Sequence, residues 1–334
     1  MYKILTRKHK PDIAIDLGTA NTRIMTAAEG IVFDEPTLCC FSGDTGSKKL
    51  VAAGLDAVKM RGHDTNDLDV VRPLSFGVLN DIDATRAFLE YAIQASIGKP
   101  RRGRLTATIG VPTDATSAER NALMTAARDA GISSVSLVEE TIAAAQGAGI
   151  EIDSPTGTMI LECGAGLTEA VVLSLGGLCG RAAIRKGGDS LDRSIIDHLH
   201  FKHKFLIGQN MAEETKLTLV DQMIADAGAS GSIDVKGRNM TNGLPETRSI
   251  PARELAALVG RHIDAIADMS ANLLSNTAPE LCDDIYSSGI LLTGGSAAIS
   301  LIGQTLTDRI GVPVAIANQS KSCVAYGLHS GLVH

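Results

Sequence analysis

The residues best suited to chemistry in this sequence lie in three glycine-containing turns, each of which follows a short apolar run. They are Asp16-Leu17-Gly18-Thr19, Glu162-Cys163-Gly164-Ala165-Gly166 and Thr293-Gly294-Gly295-Ser296. Glycine lets the backbone approach an oxyanion, neighbouring N–H groups then point at phosphate, and a carboxylate at the head of the turn holds a hydrated cation. A structural hairpin could use any one of these turns alone, but three in this order indicate a phosphate-binding site.

The apolar pattern predicts the elements that position these turns. Ile13–Ile15 is a short buried strand ahead of the first turn, and Leu105 starts another that ends at a proline turn. Thr116-Ser117-Ala118-Glu119 is a capping box for a helix that Gly131 stops, and Val135 to Val138 starts the next strand. Alternation of this kind predicts βαβ units and a mainly parallel sheet.

Length and composition predict two domains built on aliphatic cores. The chain has 334 residues, 44% of them apolar but only 3% aromatic, with no Trp. The strand that leads to Glu162 and its glycine turn repeats the pattern at Asp16, which predicts a duplicated domain.

The net charge of −7 argues against a nucleic-acid partner, and the basic run Lys99–Arg104 is expected to be a solvent-facing loop. The six cysteines show no C-x-x-C pair, which favours reduced thiols and no structural zinc. No secretory signal is evident, so we expect a protein of the cell interior. The basic first ten residues fit either a frayed terminus or a weak anchor to anionic lipid.

Four further segments receive structural interpretations. Ile285–Thr307 is long and uncharged, but its serines and glycines favour a strand, a glycine turn and a helix over a membrane span. Ala225–Gly243 is predicted to be the least ordered interior segment. Cys39-Cys40 is assigned to a buried strand, and His198, His200 and His203 to a solvated helix in preference to a metal site.

Further motifs accompany the three turns, and the whole set covers nearly all of the chain. They are Ile15–Thr22, Arg72-Pro73-Leu74 with Gly77-Val78, Val138–Thr141 with Ala143–Ala145, Gly187-Gly188-Asp189, Ala212–Lys216, Gly243-Leu244-Pro245 and Leu292–Gly295. In these motifs the chain resembles the actin, Hsp70 and sugar-kinase ATPase superfamily, and within it the MreB-like bacterial actins.

The resemblance implies an α/β fold of two duplicated actin-like (ribonuclease H-like) domains, with mixed sheets flanked by helices. An adenine nucleotide, ATP or ADP, with Mg²⁺ would lie in the interdomain cleft. The implied organisation is a basic tail over 1–10, domain I over 11–153 and domain II over 154–334. Domain II would carry an inserted subdomain at about 190–260, and the C-terminal helix would pack back on domain I.

The resemblance also implies roles for individual residues. Glu140 would orient the water that attacks the γ-phosphate; taken alone it would be read as a helix N-terminal acid favoured by the macrodipole, but between these loops we favour the catalytic role. Asp16 and Glu162 would hold Mg²⁺ through water, and Glu213 and Lys216 would flank the ribose and base. The implied nucleotide-binding residues are Asp16, Gly18, Thr19, Ala20, Asn21, Glu162, Gly164, Ala165, Gly166, Leu167, Thr168, Gly188, Asp189, Glu213, Lys216, Gly294, Gly295, Ser296 and Ala297.

The second phosphate loop departs from the family pattern. Glu162, Ala165 and Leu167 replace the usual Asp, Gly and Thr, which lengthens a carboxylate, adds a Cβ and removes a hydroxyl. We therefore expect nucleotide binding with weakened turnover. Thr141 stands where the family has proline, and Ser296 stands where it has glycine, so that Ser296 is expected to be strained if the turn requires a positive φ.

The implied function is a filament-forming bacterial actin that organises cell-wall synthesis and cell shape. Its partners would be further copies of itself, cell-wall synthesis and morphogenesis proteins and the membrane surface, at the cytoplasmic side of the cell membrane. It would be a slow ATPase that produces ADP and phosphate. A non-hydrolysing scaffold of the same fold is the alternative, followed by a small-molecule kinase, which would need a second substrate pocket with a base.

Overall fold

The computed structural model describes residues 10–43, 48–62, 67–99, 103–226 and 228–333. Nearly all of the predicted basic tail, and the middle of the predicted loop Lys99–Arg104, lie outside these ranges. The chain divides into two compact units, Met1–Ile150 with Ser322–His334, and Glu151–Lys321. The second unit thus begins at Glu151, compared with the sequence-based boundary at residue 154.

The first unit contains a five-stranded sheet with helices and smaller sheets around it. Its elements up to residue 150 are β1 Ile13–Leu17, β2 Asn21–Thr26, β3 Gly30–Pro36, β4 Cys39–Ser42, β5 Lys49–Ala53, α1 Gly54–Met60, β6 Leu68–Val71, β7 Leu74–Ser75, β8 Val78–Leu79, α2 Ile82–Ile97, β9 Thr106–Val111, α3 Ser117–Asp129, β10 Ser134–Glu139 and α4 Glu140–Gly147.

The main sheet of this unit is mixed, with the order β10-β9-β1-β2-β3. β1 is antiparallel to β2 and parallel to β9. The expectation of a mainly parallel sheet from strand–helix alternation is therefore wrong. The reason is the short turn after β1, which closes a hairpin before any helix can form.

The capping box predicted at Thr116 is confirmed. The Thr116 hydroxyl accepts a hydrogen bond from the Glu119 N–H at 3.3 Å, and the Thr116 N–H donates to the Glu119 carboxylate at 2.8 Å. Gly131 follows the helix with φ +99°, as its predicted role as a helix stop requires. Cys39 and Cys40 are confirmed as buried strand residues, and none of the six cysteines forms a disulfide.

The second unit contains a five-stranded and a three-stranded sheet. Its elements are β11 Thr158–Cys163, β12 Thr168–Ser174, β13 Gly177–Ile184, α5 Gly188–His203, β14 Phe205–Leu206, α6 Gln209–Ala225, β15 Ser232–Asn239, β16 Pro245–Pro251, α7 Ala252–Ser275, α8 Pro279–Ser288, β17 Ile290–Thr293, a 3-10 turn Gly295–Ala298, α9 Ser300–Ile310 and β18 Val314–Ile316.

The large sheet of the second unit repeats the first. Its order, β13-β12-β11-β17-β18, places an antiparallel meander on one side and two parallel strands on the other, as in β3-β2-β1-β9-β10. β11 and β12 therefore correspond to β1 and β2. This shared topology supports the duplication predicted from the two glycine turns.

Part of the segment 225–243 is a regular strand, which its composition did not indicate. Ser232–Asn239 forms β15, which lies between β14 and β16 and pairs with β16 along its length. Ile233 and Val235 alternate with polar residues and are buried, so a strand with one buried face satisfies the pattern. Composition missed this strand because its period-2 signal comes from only two apolar side chains.

The core of the second unit is built around α7, whose buried residues recur at helical spacing. They include Leu255, Leu258, Val259, Ile263 and Ile266. The stretch Ile285–Thr307 comprises the end of α8, then β17, the 3-10 turn and α9, so its predicted strand, turn and helix are confirmed. Within the described residues, no helix is long and apolar enough to cross a membrane.

The last helix, α10 (Cys323–Val333), belongs to the first unit and packs on α4. Gly147 of α4 faces the backbone of Cys323, and Gly327 of α10 faces the backbone of Ala143. A Cβ on either glycine would overlap the opposite backbone, so these two residues allow the close helix contact.

Candidate functional site

The first glycine turn is held by backbone hydrogen bonds that leave little room for a side chain. The Gly18 N–H donates to the Asn21 carbonyl at 3.1 Å, and a Cβ on Gly18 would lie 2.7 Å from that oxygen. Thr37 supports the turn: its N–H donates to Ala20 O at 2.8 Å and its hydroxyl to Gly18 O at 2.7 Å. The requirement for glycine is therefore steric.

Thr19 connects this turn to the segment that carries Arg72 and Gly77. The Thr19 hydroxyl accepts a hydrogen bond from the Gly77 N–H at 2.9 Å, which leaves its own proton available for donation. Arg72 donates to Thr19 O at 3.4 Å. Two motifs that are far apart in sequence thus meet at the first turn.

Asp16, at the end of β1, is buried beside a cation. Arg23 lies opposite it on β2 and its guanidinium contacts the Asp16 carboxylate at 3.3 Å and that of Asp34 at 3.1 Å. Burial raises the pKa of Asp16 to about 6, while the Arg23 charge opposes that rise. Asp16 therefore stays ionised at neutral pH.

Glu140 is the first residue of α4, where the helix macrodipole favours a negative charge. Its side chain packs over Gly110 of β9, since a Cβ on Gly110 would lie 3.1 Å from Glu140 Cγ. Thr141, which replaces the family's proline, is buried, and its hydroxyl hydrogen-bonds that of Thr113 at 2.6 Å. This hydrogen bond needs a hydroxyl at residue 141, which the family's proline does not have.

The second glycine turn repeats the first. The Gly164 N–H donates to Leu167 O at 2.8 Å, and a Cβ on Gly164 would lie 3.0 Å from that oxygen. Leu167, in the place of Asn21, is buried, and the Thr168 hydroxyl donates to Lys186 O at 2.7 Å. The turn keeps its shape, although a buried leucine stands where the family has a hydroxyl.

A pair of carboxylates heads the second turn. Glu162 on β11 lies opposite Glu169 on β12, in the register positions that Asp16 and Arg23 occupy in the first hairpin. Both glutamates are buried, and their carboxylate oxygens lie within 4.8 Å of each other. Two carboxylates this close offer oxygen ligands of the kind that Mg²⁺ prefers.

Three predicted residues gather around the second turn. The Gly188 N–H, at the start of α5, donates to Gly164 O at 3.2 Å, and the Asp189 N–H donates to Ala165 O at 2.9 Å. The Ser296 hydroxyl donates to Gly164 O at 2.9 Å. Ser296 lies in the 3-10 turn and is not among the residues with positive φ, so the condition under which strain was expected there is not met.

Gly294 and Ala297 also lie at this turn, and Glu213 lies on α6 close enough to Asp192 to help burial raise the pKa of that carboxyl. Gly294, with φ +86°, approaches the Cys163 carbonyl so closely that a Cβ would overlap it. Ala297 is fully buried, and Glu213 is exposed on α6. Gly166, Gly295 and Ala20 lie in the turns themselves.

Lys216, on α6, forms a buried ion pair with Asp192 of α5 at 2.9 Å. Its ammonium also lies 3.5 Å from Gly188 O. Burial raises the pKa of Asp192 to about 6, and Lys216 opposes the rise. Lys216 therefore ties α6 to the first turn of α5, close to the second glycine turn.

Arg23, Asp192 and Glu169 belong to this arrangement but were not singled out from the sequence. A hairpin register counted outward from Gly18 would have placed Arg23 opposite Asp16, and the same count would have placed Glu169 opposite Glu162. Asp192 had no comparable signal, because its partner Lys216 lies on another helix. The predicted solvated helix at His198–His203 is correct as a helix, but His198 and His203 are half-buried beside Glu254 of α7.

Comparison with known sequences identifies the relatives of this chain. The model of the MreB/Mbl protein family matches residues 10–333. The cell shape-determining protein Mbl of Bacillus cereus is 35% identical over 316 residues, which cover 95% of this chain and 94% of Mbl. The cell shape-determining protein MreB of Escherichia coli K12 is 35% identical over 319 residues, covering 95% of this chain and 91% of MreB.

Comparison with solved structures gives the same fold. MreB5 of Spiroplasma citri bound to AMPPNP superposes with a TM-score of 0.84 at 31% identity, covering 96% of this chain and 95% of that one. The MamK double helical filament superposes with a TM-score of 0.73 at 20% identity, covering 95% and 97%. The actin-like fold expected from the motifs is therefore confirmed.

Proposed function

Because this chain belongs to the MreB/Mbl family, a family of actin-like cell shape-determining proteins, we propose that it binds ATP with Mg²⁺ and polymerises. Its filaments would lie at the cytoplasmic face of the cell membrane and organise cell-wall synthesis together with morphogenesis proteins. The bound AMPPNP of the similar MreB5 supports the nucleotide, and the resemblance to bacterial actins supports the polymer.

The observation that carries the proposal is the matched pair of glycine turns. Each follows the first strand of a hairpin, each closes with an N–H to carbonyl bond, and each is headed by a buried acidic residue. Backbone N–H groups in such a turn bind phosphate oxygens, and a side chain at Gly18 or Gly164 would disturb the turn. The residues present therefore fit a nucleotide polyphosphate.

The acidic residues fit Mg²⁺, which prefers carboxylates and water. Asp16 and Glu162 would hold the ion through water, and Glu169 would add negative charge beside Glu162. The cation supplies charge neutralisation for the phosphates. The Arg23 guanidinium on the opposite strand orients the Asp16 carboxylate and partly neutralises its negative charge.

Glu140 would accept a hydrogen bond from the water that attacks the terminal phosphate. Its place at the start of α4, packed over Gly110, fixes the carboxylate at the end of strand β10. The buried Leu167 provides no hydroxyl donor to phosphate at the second turn. We therefore propose slow hydrolysis of ATP to ADP and phosphate.

ATP-dependent sedimentation with phosphate release tests the proposal. Glu140→Gln should abolish phosphate release while ATP still drives pelleting, because only the carboxylate that orients water is lost. Glu139→Gln is the matched control, since this neighbouring carboxylate instead contacts Arg120 at 3.4 Å. Circular dichroism establishes that the variants fold.

The alternatives predict different outcomes of the same experiment. Pelleting that is equal with and without nucleotide, and without phosphate release, would replace the ATPase by a non-hydrolysing scaffold. ATP consumption only in the presence of a small-molecule acceptor would indicate a kinase. Failure of the native chain to pellet under any condition would contradict the polymer.

A further inference from the structure

Two histidines and a glutamate meet in the second unit, at the end of α5 and the start of α7. His203 Nε2 lies 3.0 Å from Glu254 Oε2, and His198 Nε2 lies 3.4 Å from the same oxygen. One ligand atom from each of the three side chains lies within 4.8 Å of the other two. All three side chains are about one-fifth exposed.

The backbone around these side chains is well fixed. His198 and His203 lie in the last two turns of α5, and Glu254 lies in the first turn of α7. Arg248 donates to His203 O at 2.6 Å and stacks over the Phe205 ring at 4.8 Å. Contacts of the protein itself therefore hold the end of α5 and the start of β14 in position next to these side chains.

Two imidazoles and one carboxylate form a ligand set of the kind that borderline transition cations use. Zn²⁺ is bound by His nitrogen and Glu oxygen at about 2.0–2.2 Å, with water completing a tetrahedral shell. The partial exposure of the three side chains leaves access for that water. We propose that His198, His203 and Glu254 bind Zn²⁺ or a cation of similar preference, independently of the nucleotide.

Lys202 would compete with a bound cation for the carboxylate of Glu254. Its ammonium contacts Glu254 Oε2 at 2.9 Å, and its side chain is 55% exposed. Since more than half of its side chain is exposed, the ion pair with Glu254 is weak, and the ammonium leaves the carboxylate at little cost when a divalent cation arrives. Lys202 and the two imidazoles all approach the same oxygen, Glu254 Oε2, which is the atom that would face a cation.

The cation would link two helices. It would connect the end of α5, which leads into the small sheet β14-β15-β16, to the start of α7, which follows that sheet. Metal binding to the folded state alone stabilises that state by mass action. A rise in melting temperature is therefore a readout that does not depend on ATP turnover.

The experiment uses the full chain, freed of any histidine tag and treated with chelator, without nucleotide. Zn²⁺ titrated by calorimetry should bind at one site per chain, and Co²⁺ should give visible absorption of a tetrahedral complex. His203→Gln and Glu254→Gln should each weaken binding at least about tenfold, since each removes a ligand. Lys202→Met should tighten it several-fold, because the competing charge is gone.

His200→Gln is the matched control. This histidine lies on the same helix, but its ring stacks on Phe201 at 4.8 Å instead of facing Glu254, so its loss should leave the affinity unchanged. Equal Zn²⁺ binding by the native chain, His203→Gln and Glu254→Gln would overturn the proposal, as would no binding by the native chain. If the ligand variants fail to fold, an unchanged affinity in Lys202→Met would overturn it.

Discussion

The two hairpins that carry the glycine turns share their backbone but differ in the charges that they bury. In the first, Asp16 faces Arg23 across the strand pair; in the second, Glu162 faces Glu169. The turns beyond them close with equivalent hydrogen bonds, from Gly18 to Asn21 and from Gly164 to Leu167. Backbone geometry is thus repeated while electrostatics is not.

We propose that this difference divides the work between the two hairpins. The first places a permanent cation, Arg23, beside its own carboxylate. The second places two buried carboxylates in register, which offers oxygen ligands of the kind that Mg²⁺ prefers. The proposed phosphate-binding turn is then common to both hairpins, whereas the proposed Mg²⁺ ligands lie mainly in the second. The predictions below test this division.

The largest expected effect comes from adding a side chain to the glycines of the two turns. Gly18→Ala should lower ATP affinity by about 100-fold, or about 2.7 kcal/mol, because the added Cβ would lie 2.7 Å from a backbone oxygen and would force the turn to shift. Gly164→Ala, at 3.0 Å, should cost about tenfold. Fluorescent-nucleotide titration measures both.

Gly260→Ala in α7 is the control for these variants, since a Cβ there has no neighbour within 4 Å. It should leave ATP affinity unchanged and stabilise the helix by up to about 1 kcal/mol. Equal affinities for Gly18→Ala and the native chain would remove the first turn from the site.

The next effect concerns Asp16 and its dependence on pH. Burial raises its pKa from the ordinary 3.8 to about 6 in the folded protein, so the folded state binds more protons between these values and stability falls as pH rises through that window. Asp16→Asn should therefore increase the free energy of unfolding by about 1–3 kcal/mol at about pH 8 and by little at about pH 4. Urea denaturation at both pH values measures it.

The same variant separates stability from function. Asp16→Asn should weaken Mg²⁺-dependent ATP binding while it stabilises the apoprotein, a combination typical of a functional buried charge. A loss of stability at about pH 8 would show that the Arg23 pair outweighs burial.

A smaller effect is expected from removing the cation of the first hairpin. Arg23→Met keeps the aliphatic contacts but leaves Asp16 without its positive neighbour, so the pKa of Asp16 should rise further. The variant should lose about 1–2 kcal/mol of stability at about pH 8 and less at about pH 5, where Asp16 becomes protonated. Arg193→Met is the control, because its contact with Asp197 lies on the surface.

Sequence predicted the turns but not the charges around them. Gly18 and Gly164 stand out because the same strand and glycine turn occurs twice and a third glycine turn follows, and the capping box at Thr116 is a local signal. The Asp192–Lys216 pair and the meeting of His198 and His203 with Glu254 depend on packing between separate helices. Local periodicity contains no information on such contacts.

The mixed sheet was missed for a related reason. Strand–helix alternation predicts parallel pairing, but the hairpins between β1 and β2 and between β11 and β12 require no helix. Whether Ser296 would be strained depended on its φ, and the 3-10 turn needs no positive value there. The backbone conformation of a single residue could thus not be predicted from the sequence.

The smallest expected effect is a gain from Glu162→Asp, which restores the residue usual in the family. The shorter carboxylate moves away from Glu169 by one methylene and gives an octahedral Mg²⁺ shell more room for water. Phosphate release should rise about two- to tenfold, since about 0.4–1.4 kcal/mol of barrier is at stake. Glu151→Asp, at an exposed position of the same unit, is the control. An unchanged or lower rate would mean that the longer glutamate is matched to its hairpin and that slow turnover has another cause, of which the buried Leu167 is the first to test.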